Sequence, residues 1–143
     1  MRLKGNSGKE TGANYPIIFF DGVCGLCNSF VNIIFNNDKN KVFRYSPLQG
    51  ETAKALLPEL PENPGEWSIV YVDEYGIYAE SGATLRILRR MGGAWGLLSY
   101  LSIIPVSLRD FVYRMVAKYR YRIFGKYESC RVPTEKEKEQ FLP

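Results

Sequence analysis

The sequence predicts a mixed α/β domain in which short strands and helices alternate as β-α-β-α-β-β-α, followed by a helical extension. Three observations predict it. Runs rich in branched and aromatic residues, such as Tyr15-Pro16-Ile17-Ile18-Phe19-Phe20, give way to stretches whose apolar residues recur at helical spacing. Residues 67–72 and 76–79 flank Asp73-Glu74-Tyr75 in the pattern of a β-hairpin. Beyond Gly92-Gly93 the apolar repeats are helical. The 143 residues are 45% hydrophobic and 24% charged, which suffices for one core without disulfide staples.

Residues 1–14, polar and rich in Gly, Lys and Asn, read as a disordered leader. The first strand, 15–20, is apolar on both faces and turns at Asp21-Gly22. Val23, Leu26, Cys27, Phe30, Val31 and Ile34 then set a helix that Asn36-Asn37-Asp38 ends. A second strand spans 41–45 and closes at Ser46-Pro47. A short helix at 51–57 stops at Pro58, and 60–65 is a linker before the hairpin. Ser81 is placed as the N-cap of a helix running to about Met91.

In the extension, Ala94, Leu97, Leu98, Leu101 and Ile104 make one amphipathic stripe. Ser107, with Asp110 three residues on, reads as a capping box for a last helix ending at Gly125. Its Leu108, Phe111, Val112, Met115, Val116, Tyr119 and Ile123 repeat so regularly that core packing is the first expectation. The expected organisation is a single domain over 15–133, with a core at about 15–92 and a helical extension at about 94–125. Residues 134–143 read as a charged tail. A dithiol at the first strand-to-helix junction and a late hairpin are what a thioredoxin-like domain shows.

Composition excludes several chemistries. The chain has no histidine, so Ser-His and Cys-His catalysis and His-ligated metals are out. Three cysteines are too few for a disulfide framework and leave at least one thiol outside any internal bridge. The longest apolar candidate, 94–106, falls short of the roughly 18 residues a membrane span needs. The amino-terminal residues lack the apolar stretch of a secretory signal, and a cytoplasmic location is the expectation. Charge is uneven: residues 1–85 sum to −3, 86–131 to +8 and 132–143 to −1.

The chemistry is expected at Cys24 and Cys27. Spacing two cysteines three apart at a helix start brings the sulfurs within bonding range. It also sets the first over unpaired amides at the positive end of the helix dipole. Cys24 is then expected to be exposed and activated, and Cys27, on the apolar stripe, to be the shielded resolving thiol. Gly25-Leu26 carries no positive charge, so the helix terminus should supply most of the activation and the couple should be mildly reducing. Asp21 is either a turn residue or a carboxylate that modulates proton transfer at the pair. Half of a zinc site is the competing reading, but a structural zinc needs four ligands and the chain has only one other cysteine and no histidine; a purely structural pair is the other.

Asp21-Gly22-Val23-Cys24-Gly25-Leu26-Cys27-Asn28 resembles the Asp-x-x-Cys-x-x-Cys signature of the DCC family of predicted thiol–disulfide oxidoreductases. Ser81-Gly82-Ala83, Ile104-Pro105, Arg109-Asp110, Tyr113, Arg120-Tyr121-Arg122 and Cys130-Arg131-Val132-Pro133 are similar to further family positions. The likeness covers about 17–133. It implies a thioredoxin-like fold and dithiol redox chemistry through Cys24, Cys27 and Asp21, with no bound cofactor and an unnamed protein or small-thiol partner. Arg109, Tyr113, Cys130 and Arg131 are candidate accessory residues.

Better-known thioredoxin-like enzymes carry a cis-proline before the third strand; here Trp67-Ser68 stands there, so substrate docking by that route is in doubt. Cys130 lies in a polar segment which, folded back over Cys24, would put a third thiol and Arg131 at the site. Otherwise it is a structural cysteine. The alternative function is a non-catalytic module binding an anionic surface or nucleic acid through Arg86, Arg89, Arg90, Arg114, Arg120 and Arg122. Of these, peripheral membrane contact is kept open and nucleic acid is not favoured. A solvated helical face explains the same arginines more simply.

Overall fold

In a computed structural model covering residues 15–143, strand β1 (Ile17–Phe20) sits at the centre of the molecule because both its faces are apolar. Ile18 and Phe20 point to one side of the sheet and Ile17 and Phe19 to the other, as strand alternation dictates. The expected leader, 1–14, lies outside the described residues. Helix α1 (Gly25–Asn37) returns the chain to β2 (Arg44–Pro47), which pairs with β1 in parallel. Helix α2 (Glu51–Leu56) and a 3₁₀ turn (Pro64–Glu66) lead to β3 (Val70–Asp73) and β4 (Gly76–Ala79), both antiparallel to their neighbours. The sheet order is β2-β1-β3-β4. With α3 (Glu80–Met91) closing the unit, this is the thioredoxin-like arrangement that the element order predicts.

The sheet separates two cores. Val31 and Ile34 of α1 and Ala83 and Ile87 of α3 cover the Ile18–Phe20 face. Ala53 and Leu57 cover the Ile17–Phe19 face. The hairpin turns where the Asp73 carboxylate accepts from the amides of Tyr75 (2.9 Å) and Gly76 (3.2 Å).

Several expected boundaries move, each for a local reason. Strand β2 starts at Arg44 rather than at 41, because Asp38 captures the amides of Val42 (2.9 Å) and Phe43 (3.1 Å). Strand β3 starts at Val70, since the Trp67 amide closes the preceding 3₁₀ turn on Pro64 O. Ser81 is not an N-cap: α3 opens at Glu80, and the Ser81 hydroxyl donates to Asp110. The capping box at Ser107 fails for the same reason, because Asp110 is spent on Ser81. Helix α5 (Val106–Phe124) is instead initiated by Pro105, whose carbonyl accepts from Leu108 and Arg109. The helix expected over 94–104 splits into α4 (Gly93–Leu97) and a 3₁₀ segment (Leu98–Ile103), with Ile104 extended ahead of Pro105.

Two corrections are larger. The apolar stripe of α5 does not enter the core: Phe111 is 61% exposed and Ile123 70%, and Arg120 is the helix's buried residue. The charged tail, 134–143, is not a free tail. Gln140 and Glu137 are buried, and Phe141 stacks on Tyr45 with ring centroids 5.1 Å apart. Phe141 also forms a parallel bridge to Tyr45 on the open side of β2. Its few apolar residues thus outweigh the charges around them. Among the described residues no helix is long and apolar enough to cross a membrane.

Candidate dithiol site

The loop between β1 and α1 is built by side chains that satisfy its own backbone. Asp21 Oδ1 accepts from the Val23 amide (3.2 Å), and buried Asn28 donates back to the carbonyls of Gly22 (3.0 Å) and Cys24 (2.9 Å). Gln49 donates to Asp21 Oδ1 (2.8 Å) and accepts from the Gly22 amide (3.1 Å). So held, Cys24 is the N-cap of α1, and its Sγ accepts from the Cys27 amide at 3.3 Å. The two cysteines come together on the first helical turn.

Their acidities diverge. The Cys27 thiol and amide both hydrogen-bond to Cys24 Sγ and outweigh its burial, so its pKa falls from 9.0 to about 7, with the Arg120 cation assisting. The expectation that the helix terminus would supply most of this is corrected: the neighbouring thiol contributes most, and a cation from α5 takes part. Cys27 is driven strongly upward, first because its proton is held by Cys24 and then by burial.

Exposure is the reverse of what the sequence suggests. Cys24 is fully buried and Cys27 half-buried. The cause is the segment that follows α5, which folds back on the loop. The Gly25 amide donates to Gly125 O (3.2 Å), the Tyr127 amide to Val23 O (2.8 Å) and the Arg131 amide to Gly22 O (3.2 Å). Cys24 itself bridges to Lys126. A Cβ on Gly25 would lie 2.3 Å from Phe124 O, so only glycine lets this cap close. Cys130 rides on the cap, packed against Gly22, where burial and the Asp21 charge raise its pKa. Arg131 does not reach the thiolate: its guanidinium binds Glu137 and lies over the Phe141 ring.

Asp21 is buried and its second oxygen meets Arg120 Nη2 (3.3 Å) and the Tyr121 hydroxyl. Arg120, also buried, donates further to the carbonyls of Pro64 (2.8 Å) and Trp67. This corrects the reading of Arg120 as part of a basic face. That face loses other members too, since Arg90 pairs with Glu74 and Arg114 with Glu80. Tyr113 accepts from the Ile69 amide at 2.9 Å. The Trp67 carbonyl and the Ile69 amide, on the backbone ahead of β3, are thus both taken by α5. No peptide bond among the described residues is cis.

Cys27 opens on an apolar groove of about 580 Å³ between α1, α3, the 3₁₀ segment and α5, lined also by Tyr113, Arg109 and Arg120. The Arg109 Nε is buried without a hydrogen-bond partner. No three cysteine, aspartate or glutamate side chains gather as metal ligands among the described residues. The sequence reading finds Asp21, Cys24 and Cys27 but misses Gln49 and Tyr121 as their neighbours. The Arg120-Tyr121-Arg122 cluster ahead of Gly125 was the available signal.

The chain is similar to two known proteins and to one family. The chain is 36% identical over 129 residues to an uncharacterized protein, YuxK, of Bacillus subtilis (strain 168), covering 89% of this chain and 93% of that one. It is 37% identical over 119 residues to a chloroplastic DCC family protein of Arabidopsis thaliana, covering 82% and 69%. No solved structure matches. The family described as DCC1-like thiol-disulfide oxidoreductase matches residues 18–126, which contain the dithiol loop, its buried ion pair and the helix that supplies Arg120. The chain belongs to that family.

Proposed function

We propose that the protein is a thiol–disulfide oxidoreductase in which Cys24 attacks and Cys27 resolves. The observation that carries this reading is the asymmetry of the pair: one thiol is acidified to about 7 while its neighbour keeps its proton. The Cys24 thiolate attacks one sulfur of a substrate disulfide. That bond breaks, and its other sulfur leaves as a thiolate and takes a proton from water. Cys27 then loses its proton and attacks Cys24 Sγ, which forms the internal disulfide and releases the second substrate thiol. Two electrons have passed from the dithiol to the substrate, and no bound cofactor is needed. A protein or small-thiol reductant restores the pair.

Asp21 acts in this scheme as a positioning residue. Its carboxylate fixes Arg120, whose charge favours the thiolate form of Cys24. Cys130, Arg109 and Arg131 take no part in the two-electron step. The cap over Cys24 has to lift for a protein disulfide to reach it. A reducing compartment, the cytoplasm by the sequence expectation, keeps such a dithiol charged.

Titration against glutathione redox buffers with thiol trapping tests the proposal. A reversible Cys24–Cys27 bridge is expected, lost in Cys24→Ser and kept in Cys130→Ser. Absence of any reversible bridge between strongly reducing and strongly oxidising buffers refutes it. In Cys27→Ala the alkylation midpoint of Cys24 should rise from about 7 toward 9.0, because the largest acidifying contact is gone.

A further inference from the structure

The redox reading leaves the outer face of α4, the 3₁₀ segment and α5 unexplained. Ile103 is 79% exposed, Ile123 70% and Phe111 61%, and other large apolar side chains beside them are exposed as well. Leu101 of the 3₁₀ segment, Ile104 just after it, and Leu108 and Val112 of α5 line the same groove and are exposed, so apolar side chains of both segments border one opening. A surface of this kind marks an interaction site.

Charge decides between occupants. Exposed Lys118, Arg122 and Lys126 flank the stripe, and no carboxylate among the described residues pairs with them. Asp110, the one acidic residue between 92 and 127, is engaged by Ser81. A second copy of the chain would set Lys118, Arg122 and Lys126 against the same three cations. Residues 1–14 offer Met1, Leu3 and Ala13 as apolar side chains, too few to cover the stripe. An anionic bilayer satisfies both features, with the stripe set among the acyl chains and the lysines and arginine among the headgroups. Exposed Tyr100 and Tyr119 carry the amphipathic rings favoured at that depth.

We propose that the α4–α5 face docks the protein on an anionic lipid surface, lying in the interface without crossing it. The docking does not depend on the redox reading. It does turn the mouth of the groove, and with it Cys27, toward the lipid.

Flotation of the full chain with vesicles tests this, using phosphatidylcholine alone and phosphatidylcholine mixed equally with phosphatidylglycerol. Binding is expected to the mixed vesicles only, and to fall as salt rises. Lys118→Gln with Arg122→Gln should weaken it about 25-fold, at about fivefold per charge. Phe111→Asp with Met115→Asp should weaken it at least about tenfold with an unchanged circular dichroism spectrum. In a Phe111→Trp variant the added emission should shift to the blue on the mixed vesicles. Three results would each overturn the proposal: no binding to the mixed vesicles at low salt, equal binding to both kinds, or a solution dimer at micromolar concentration that the same aspartates split.

Discussion

Helices α1 and α5 carry the same apolar period and point it in opposite directions. Helix α1 buries Val31 and Ile34 in the core and gives its amino end to the dithiol. Helix α5 turns its apolar stripe outward and sends Arg120 inward to the loop and Tyr113 to the Ile69 amide. Periodicity therefore says which residues share a face and leaves open which way the face looks. What orients α5 is polar: a buried carboxylate at Asp21 needs a cation, and Arg120 supplies it.

The sharpest way to break this comparison is to remove the polar anchor. Arg120→Leu leaves Asp21 buried and unpaired, and chemical denaturation should show a loss of about 3–5 kcal/mol. If stability is unchanged, packing alone orients α5. Gly25→Ala comes next. Its Cβ would press on Phe124 O, so the cap must shift, at a cost of about 1–3 kcal/mol. Alkylation of Cys24 should quicken in this variant as the cap loosens, which distinguishes it from a general loss of structure.

The pH dependence of the reduced protein gives a smaller effect with a definite sign. Between about pH 7 and 9 the folded chain holds Cys24 as thiolate while the unfolded chain still holds a thiol. The unfolded state binds more protons, so stability should rise with pH across that window, by up to about 1.4 kcal/mol per pH unit. It is lost again as pH falls through 7, and Cys24→Ser should flatten the curve measured by thermal melting. The smallest effect belongs to the outer face. Phe111→Asp should change stability by no more than about 0.5 kcal/mol, because the ring is already in solvent. A larger loss would mean that the stripe is packed after all.

Local signals were readable and distant ones were not. The strand-to-helix junction, the hairpin and the dithiol spacing each lie within a few residues, so turn chemistry and periodicity report them. The Asp21–Arg120 pair spans 99 positions and the Asp21–Gln49 contact 28, and neither has a local signature. Ser81 and Ser107 look alike as helix starters, yet Ser81 is claimed by Asp110 from another helix. The burial of Cys24 was hidden for the same reason. Its cover comes from 125–131, a polar stretch whose role is carried by backbone hydrogen bonds rather than by side-chain type.

The carboxy-terminal residues bear on colloidal behaviour. Tyr45 pairs on one side with Ile18 and on the other with Phe141, whose neighbours exchange amide bonds with it: the Tyr45 amide donates to Gln140 O (2.9 Å), and the Leu142 amide to Tyr45 O (2.7 Å). The rim of the sheet at β2 is thereby sealed by the chain's own last turn. A variant shortened before Phe141 would leave that rim bare, a template for strand addition from a neighbouring molecule. Such a variant should form β-rich aggregates at concentrations where the full chain stays dispersed.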